Sequence, residues 1–195
     1  MTAFIIAQTK SYVKNLLSEH LPENMFFHNL QHTQDVVMTV SEIAIHEKLS
    51  PREQTVVTVA AWLHDTGYCF QYNDHEEASL AIAGTFLRQH QQDAMFVQDV
   101  LDCIAATKMP QQPNTQLQKI LCDADLAHLA STDYILRATL LRQEWAAILG
   151  KQYTDDEWIA GNIEMLRGKP YFTTYGKRFL QIGRAANAAK LAKNL

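Results

Sequence analysis

An all-α fold is what this sequence predicts, and three observations carry the prediction. Apolar residues recur at three- and four-residue spacing, as in Val36, Val37, Val40, Ile43 and Ala44. Runs that alternate apolar and polar residues, the mark of half-buried strands, are few. Only seven glycines punctuate 195 residues. That length suffices for one well-buried core and is short for two domains. The expected organisation is a single domain over residues 1–195, built as an irregular helical bundle without repeats or low-complexity segments.

The elements follow in order. A first amphipathic helix is expected over about 3–19, stopping before Pro22. Asn29 is a good N-cap for a second, which turns Val36, Val40 and Ile43 inward. Pro51 opens the third, Val56, Val57, Ala60, Ala61 and Leu63 follow at helical spacing, and Gly67 reads as its stop. A polar turn, Gln71-Tyr72-Asn73-Asp74, precedes a fourth helix from about Glu76 to Gln89. Asp93 caps a fifth containing Val97, Val100, Leu101 and Ile104. Pro110 to Asn114 is a loop, and a sixth helix runs from about Thr115 to Ala130. Thr132 or Asp133 caps a seventh reaching Leu149, Asp155 starts another, and a last helix runs from about Tyr175.

Composition narrows the function classes. A formal net charge of -4 and the lack of any Lys/Arg run argue against a nucleic-acid polymer or an anionic membrane as partner. Cys69, Cys103 and Cys122 are odd in number and lack Cys-x-x-Cys spacing, which reads as buried thiols in a reducing compartment. The apolar stretch Phe4-Ile5-Ile6-Ala7 is too short for a signal peptide, and none reaches transmembrane length. The cytoplasm is the expected location.

The chemistry concentrates at three places. In Ala60-Ala61-Trp62-Leu63-His64-Asp65-Thr66-Gly67, a carboxylate sits at the end of an apolar helix, where exposed carbonyls already carry negative charge. The misfit costs roughly several tenths of a kcal/mol, and a cation held by His64 and Asp65 together would remove it. His32, in line with Val36 and Val40, brings an imidazole toward the core. Asp125, four residues after Leu121, brings a carboxylate, which would be costly there without a partner. Two imidazoles and two carboxylates form a mixed N/O set that suits one divalent ion: Mn, Fe, Co, Ni, Zn or Mg. His20, His46, His90 and His128 read as ordinary histidines.

The order His32, His64-Asp65, Asp125 resembles the H…HD…D signature of the HD-domain superfamily of metal-dependent phosphohydrolases. Supporting stretches are His28-Asn29-x-x-His32-Thr33, Ala61-Trp62-Leu63-His64-Asp65 and Asp123-Ala124-Asp125-Leu126. Tyr171-Phe172-Thr173 and Ala186-Asn187-Ala188-Ala189-Lys190-Leu191 also look like short stand-alone members. The motif core spans 27–130, with helices over 131–195 completing the bundle. The resemblance implies an HD-type all-helical fold, a metal held by His32, His64, Asp65 and Asp125, and a small phosphorylated substrate, a nucleotide foremost.

His75 and Glu76 resemble the His-Glu pair of the superfamily's deoxynucleotide triphosphohydrolases, in which the carboxylate orients a catalytic imidazole. The plainer alternative makes Asp74 a helix cap, with Glu76 and Glu77 complementing the dipole. Tyr68 stands where some nucleotidases of the superfamily place an acid. Ile104-Ala105-Ala106-Thr107-Lys108 lacks the histidine that two-metal members carry, which favours one ion over a di-iron oxygenase. Lys108 is a phosphate contact or a solvated lysine, and His28 contacts substrate or packs beside Phe26 and Phe27. Asp123 is a third candidate substrate contact. Tyr171, Phe172, Tyr175 and Phe179 wall a nucleobase pocket or pack the last helix. A non-catalytic, metal-holding nucleotide or protein binder is the remaining alternative.

Overall fold

The computed structural model describes residues 2–194, all helix and connecting turns with no strand among them. Met1 and Leu195, the ends of the expected 1–195 unit, lie outside the described residues. The helices are α1 (Thr2–His20), α2 (Leu30–His46), α3 (Pro51–Leu63), α4 (His75–Gln89), α5 (Ala94–Ala105), α6 (Gln116–Asp125), α7 (Tyr134–Leu149), α8 (Asp155–Arg167) and α9 (Gln181–Leu191).

Helix α3 is the axis of the molecule. Val56, Val57, Val59, Ala60, Ala61, Trp62 and Leu63 are all buried, on every side of the helix. A helix apolar all round belongs in the middle of a core, and α1, α2, α5 and α6 pack around it. Its start is fixed by Pro51 at the first turn and by a capping box between Ser50 and Glu53. A second apolar cluster, of Leu129, Tyr134, Ile163, Leu166, Ala188 and Leu191, joins α7, α8 and α9. Among the described residues no helix is long and apolar enough to cross a membrane. All three cysteines are free and buried.

Asn29, Asp93 and Thr115 cap their helices through their side chains, and Thr154 does so for α8 in a capping box with Glu157. Four local expectations are corrected. Asp74 adopts a left-handed conformation (φ 53°) and makes no cap bond, because its carboxylate pairs with Lys108 at 2.9 Å. Asp133 precedes α7 but likewise makes no cap bond, its oxygens being taken by Arg137. The sixth helix ends at Asp125 rather than Ala130 and tightens into a 3-10 turn over Leu126–Ala130. There the His128 ring donates to the Asp125 carbonyl at 2.9 Å, occupying an acceptor that helix continuation would use. The last helix begins with a widened π turn over Gly176–Leu180, because Thr173 Oγ1 holds the Gly176 amide at 2.8 Å.

Candidate metal centre

Three chain segments deliver the ligand-type residues to one point. His32 lies in the first turn of α2, its backbone amide held by the Asn29 cap. His64 closes α3, and Asp65 follows between α3 and the tight turn Thr66–Cys69. Asp125 is the last residue of α6. His32 Nε2 stands 3.3 Å from both Asp65 Oδ2 and Asp125 Oδ1, and His64 Nε2 stands 3.2 and 3.7 Å from the same atoms. Donors that share an ion at about 2.1 Å stand roughly 3.0–3.5 Å apart, and three of these four separations fall in that range.

The donor chemistry fits as well. His64 Nδ1 donates to the Ala61 carbonyl at 2.8 Å, which fixes the tautomer and leaves the Nε2 lone pair free. His32 Nε2, His64 Nε2 and Asp65 Oδ2 are buried without a hydrogen-bond partner. Buried polar atoms are rarely left so, and a cation at their meeting point satisfies all three. His32, His64 and Asp125 each place one ligand atom within 4.8 Å of the other two, a group that does not include Asp65.

Electrostatics within this cage are strong. Burial pulls His32 down, but the negative charges of Asp125 and Asp65 beside it outweigh that and lift the imidazole to about 9. His64 is likewise raised, burial being outweighed by Asp65 and then Asp125. Burial pushes both carboxylates up, yet His64 and His32 hold Asp65, and His32 and His64 hold Asp125, below the usual range. In chelator-stripped protein the raised imidazoles contribute stability that is full below about pH 6.5 and lost as pH rises through about 9. The depressed carboxylates contribute above about pH 4 and lose that contribution in acid. The site's stabilisation of stripped protein is therefore expected to peak between these limits. Metal affinity should instead rise with pH, because protons compete for the imidazoles. Thermal unfolding from pH 4 to 9, with and without chelator, checks both; stripped protein that gains stability from pH 6.5 to 9 contradicts the assignment.

A cavity of about 330 Å³ opens beside Asp65 and Asp125, lined also by His28, Tyr68, His75 and Glu76. His75 Nε2 is 3.4 Å from Asp65 Oδ1 and its Nδ1 is 3.6 Å from Glu76 Oε2, so the ring stands between two carboxylates. Gly67 makes this approach possible. A Cβ there would lie 1.9 Å from the His75 carbonyl oxygen, so the glycine serves close packing against the start of α4. Tyr68 stacks on His75 at 3.8 Å and on His28 at 4.4 Å between ring centres.

Two of the three candidate substrate contacts change role. Asp123 faces away from the cavity, its carboxylate accepting from the Phe172 amide at 2.7 Å, the Thr173 amide at 2.8 Å and the Thr173 hydroxyl at 2.7 Å. It anchors the segment before α9 and does not line this cavity. Lys108 is exposed and paired with Asp74 and Glu77; the lysine that lines the cavity is Lys151. His28 does line it. Tyr171, Phe172, Tyr175 and Phe179 do not line this cavity, and Tyr171 instead donates to the Leu126 carbonyl.

Two residues escaped sequence reasoning. Glu144 of α7 is fully buried and accepts from the amides of Phe27 (2.8 Å) and His28 (3.0 Å), from His28 Nδ1, and from the Tyr72 hydroxyl at 2.8 Å. Burial raises its carboxyl, and these partners, His28 foremost, bring it below the ordinary value. The signal was present: Glu144 sits in line with Leu140, Leu141 and Ile148, a carboxylate on an apolar stripe. His128, set aside as ordinary, lines the cavity beside Asp125; burial and the nearby His32 depress it to about 4.

Comparison with known proteins places this geometry. The family model described as the HD domain matches residues 29–130. No curated protein matches the chain. Among solved structures, a predicted HD superfamily hydrolase from an uncultured Thermotogales bacterium superposes with a TM-score of 0.66 at 19% identity, covering 96% of this chain and 89% of that one. Bacillus subtilis YpgQ, solved in complex with ADP, gives 0.69 at 17% identity, covering 100% and 97%. A Lactobacillus plantarum protein gives 0.70 at 14% identity, covering 97% and 94%. At these identities the likeness is one of fold.

Proposed function

The chain belongs to the HD domain family, and on that premise we propose that it is a metal-dependent phosphohydrolase of small phosphorylated metabolites, nucleotides foremost. The observation that carries the reading is the set of unpartnered buried atoms on His32, His64 and Asp65 at the edge of a solvent-reaching cavity. With Asp125 they would hold one divalent ion, drawn from Mn, Fe, Co, Ni, Zn or Mg. Such an ion supplies Lewis acidity, acidifying water and polarising a phosphoryl oxygen.

The chain's own residues supply the rest. His75 stands within one water's reach of Asp65 and carries the proton to or from the reacting groups, while Glu76 orients its ring. Separations of 3.4 and 3.6 Å are of the kind that tighten when substrate arrives. His28, held through Nδ1 by Glu144, is a further polar group of the wall. Lys151 at the rim offers the positive charge for phosphate oxygens. The ADP in the YpgQ structure supports a nucleotide as the first substrate to try. Buried thiols and a negative net charge fit a cytoplasmic enzyme without a nucleic-acid polymer as partner.

One observation favours a second reading of the metal count. Asp65 turns Oδ2 to His32 and His64 but Oδ1 to His75, so Asp65 and His75 would be the residues to hold a second ion. Metal analysis decides: one ion per chain leaves His75 to proton transfer, and two make it a ligand and reopen the di-iron alternative. The activity test is a screen of metal-supplemented protein against nucleotides and generic phosphoesters. Metal-dependent turnover is expected, with His75→Ala lowering kcat by about 10²–10⁴-fold. Metal-loaded protein inert toward the whole panel would favour the non-catalytic binder.

A further inference from the structure

Helix α8 contains a glycine that its own packing does not explain. A Cβ built on Gly161 meets nothing within 4 Å, yet glycine inside a helix costs about 1 kcal/mol relative to alanine. The space beside it is a hollow of about 290 Å³ that also borders Trp145, Tyr153 and Trp158. Those three rings form one wall: Trp145 and Tyr153 each stand 5.5 Å from Trp158, and 6.1 Å from one another. All three remain partly exposed, whereas the packed side of α8 is carried by Ile163 and Leu166.

The hollow adjoins the metal cavity, sharing Phe27, His128, Leu141, Trp145 and Met165 with it. Lys151, which lines the metal cavity, holds its ammonium 5.7 Å over the Trp145 ring, at the seam between the two. Several polar groups of the hollow are already engaged. Asn162 accepts from Tyr134 and donates to the Trp158 carbonyl, Glu157 closes the cap of α8, and Arg137 pairs with Asp35 and Asp133. The wall they leave is mainly aromatic surface, with His128 Nδ1 turned to the Asp125 carbonyl.

We propose that this hollow is the subsite for the flat heteroaromatic base of a nucleotide whose phosphates lie at the metal centre. The proposal rests on the hydrolase reading for the position of the phosphates and adds to it the place and the residues that would take the base. A nucleobase presents two apolar π faces and would stack on the Trp145, Tyr153 and Trp158 wall; a phosphosugar has no such face. Lys151 would stand between base and phosphates. Recognition would be of ring face, with the glycine keeping open the room the ring requires.

Binding rather than turnover tests this. Calorimetric titration of the manganese-loaded full chain with ADP and with inorganic pyrophosphate measures what the nucleoside adds. ADP is expected to bind more tightly. Gly161→Leu, which projects a side chain into the hollow, should cut the ratio of ADP to pyrophosphate affinity by about tenfold, as should Trp145→Ala. Leucine also suits the helix better than glycine, and circular dichroism confirms folding. Equal affinities for the two ligands, or an unchanged ratio in a folded Gly161→Leu protein, overturns the subsite. The two readings fail separately. Protein that hydrolyses no phosphoester but shows the predicted ratios keeps the subsite and loses the hydrolase. Protein that hydrolyses nucleotides but shows unchanged ratios does the reverse.

Discussion

Asp65→Ala is expected to abolish stoichiometric metal binding and to lower kcat/KM by at least about a thousandfold. The magnitude follows from the several kcal/mol of transition-state stabilisation a catalytic ion provides, at about 1.4 kcal/mol per tenfold. Asp65 is the residue to choose because both its oxygens are engaged, Oδ2 with His32 and His64 and Oδ1 with His75. Its loss removes a proposed ligand and leaves His75 with Glu76 alone of its two carboxylate neighbours. Asp65→Asn separates charge from shape: the amide preserves volume, lacks the negative charge, and should lose most of the ion. Elemental analysis and steady-state kinetics on the same preparations check both variants. An Asp65→Ala protein that retains one equivalent of metal and ordinary turnover removes the site from the proposed position.

Glu144→Ala should be the most destabilising single substitution around the cavity, at about 3–5 kcal/mol. The carboxylate is fully buried and takes donors from two backbone amides, an imidazole and a phenol. Removing it strands all four in a place water reaches poorly. For a chain of this length the loss corresponds to a Tm lower by about 10 °C. Glu144→Gln keeps the volume but replaces one acceptor oxygen with a donor facing other donors, so it should recover only part of the stability. Tyr72→Phe removes a single donor and should cost about 1 kcal/mol. Thermal unfolding of the three variants tests that order. Glu144→Ala within 1 °C of wild type would show that the carboxylate is not the hub of this corner.

The fold class was legible because the core helices carry their burial in their spacing. Val36, Val40 and Ile43 of α2 and the apolar run of α3 are buried where helical periodicity places them. The cluster that forms the candidate metal centre was legible for a related reason. His32 and Asp125 are polar groups on apolar stripes, and His64-Asp65 sits where a helix end disfavours a carboxylate. Glu144 offered the same signal on α7 but had no motif around it. Asp123 stands two residues from Asp125, and spacing along a helix does not reveal which carboxylate meets backbone amides 49 and 50 residues further on. Asp74 shows the limit of cap rules: a distant lysine competed for the side chain. The aromatic hollow was illegible because it forms between α7, α8 and the Tyr153 segment, and no local pattern reports their meeting.

Asp123 and Asp125 occupy one turn of α6, and they face different clients. Asp123 clamps the backbone at Phe172 and Thr173, and through Thr173 the amide of Gly176. Asp125 faces the metal position. The C-terminal segment is thus fastened two residues from a ligand, through a rigid helical turn. Equilibria that share such an element are reciprocal: whatever free energy the ion lends to docking of that segment, docking lends to the ion. Amide hydrogen exchange at Phe172, Thr173 and Gly176 should therefore slow on metal loading, although none of these residues touches the centre. A tail that reports metal occupancy would make the C-terminal third of the chain a readout of the site as well as a part of the fold.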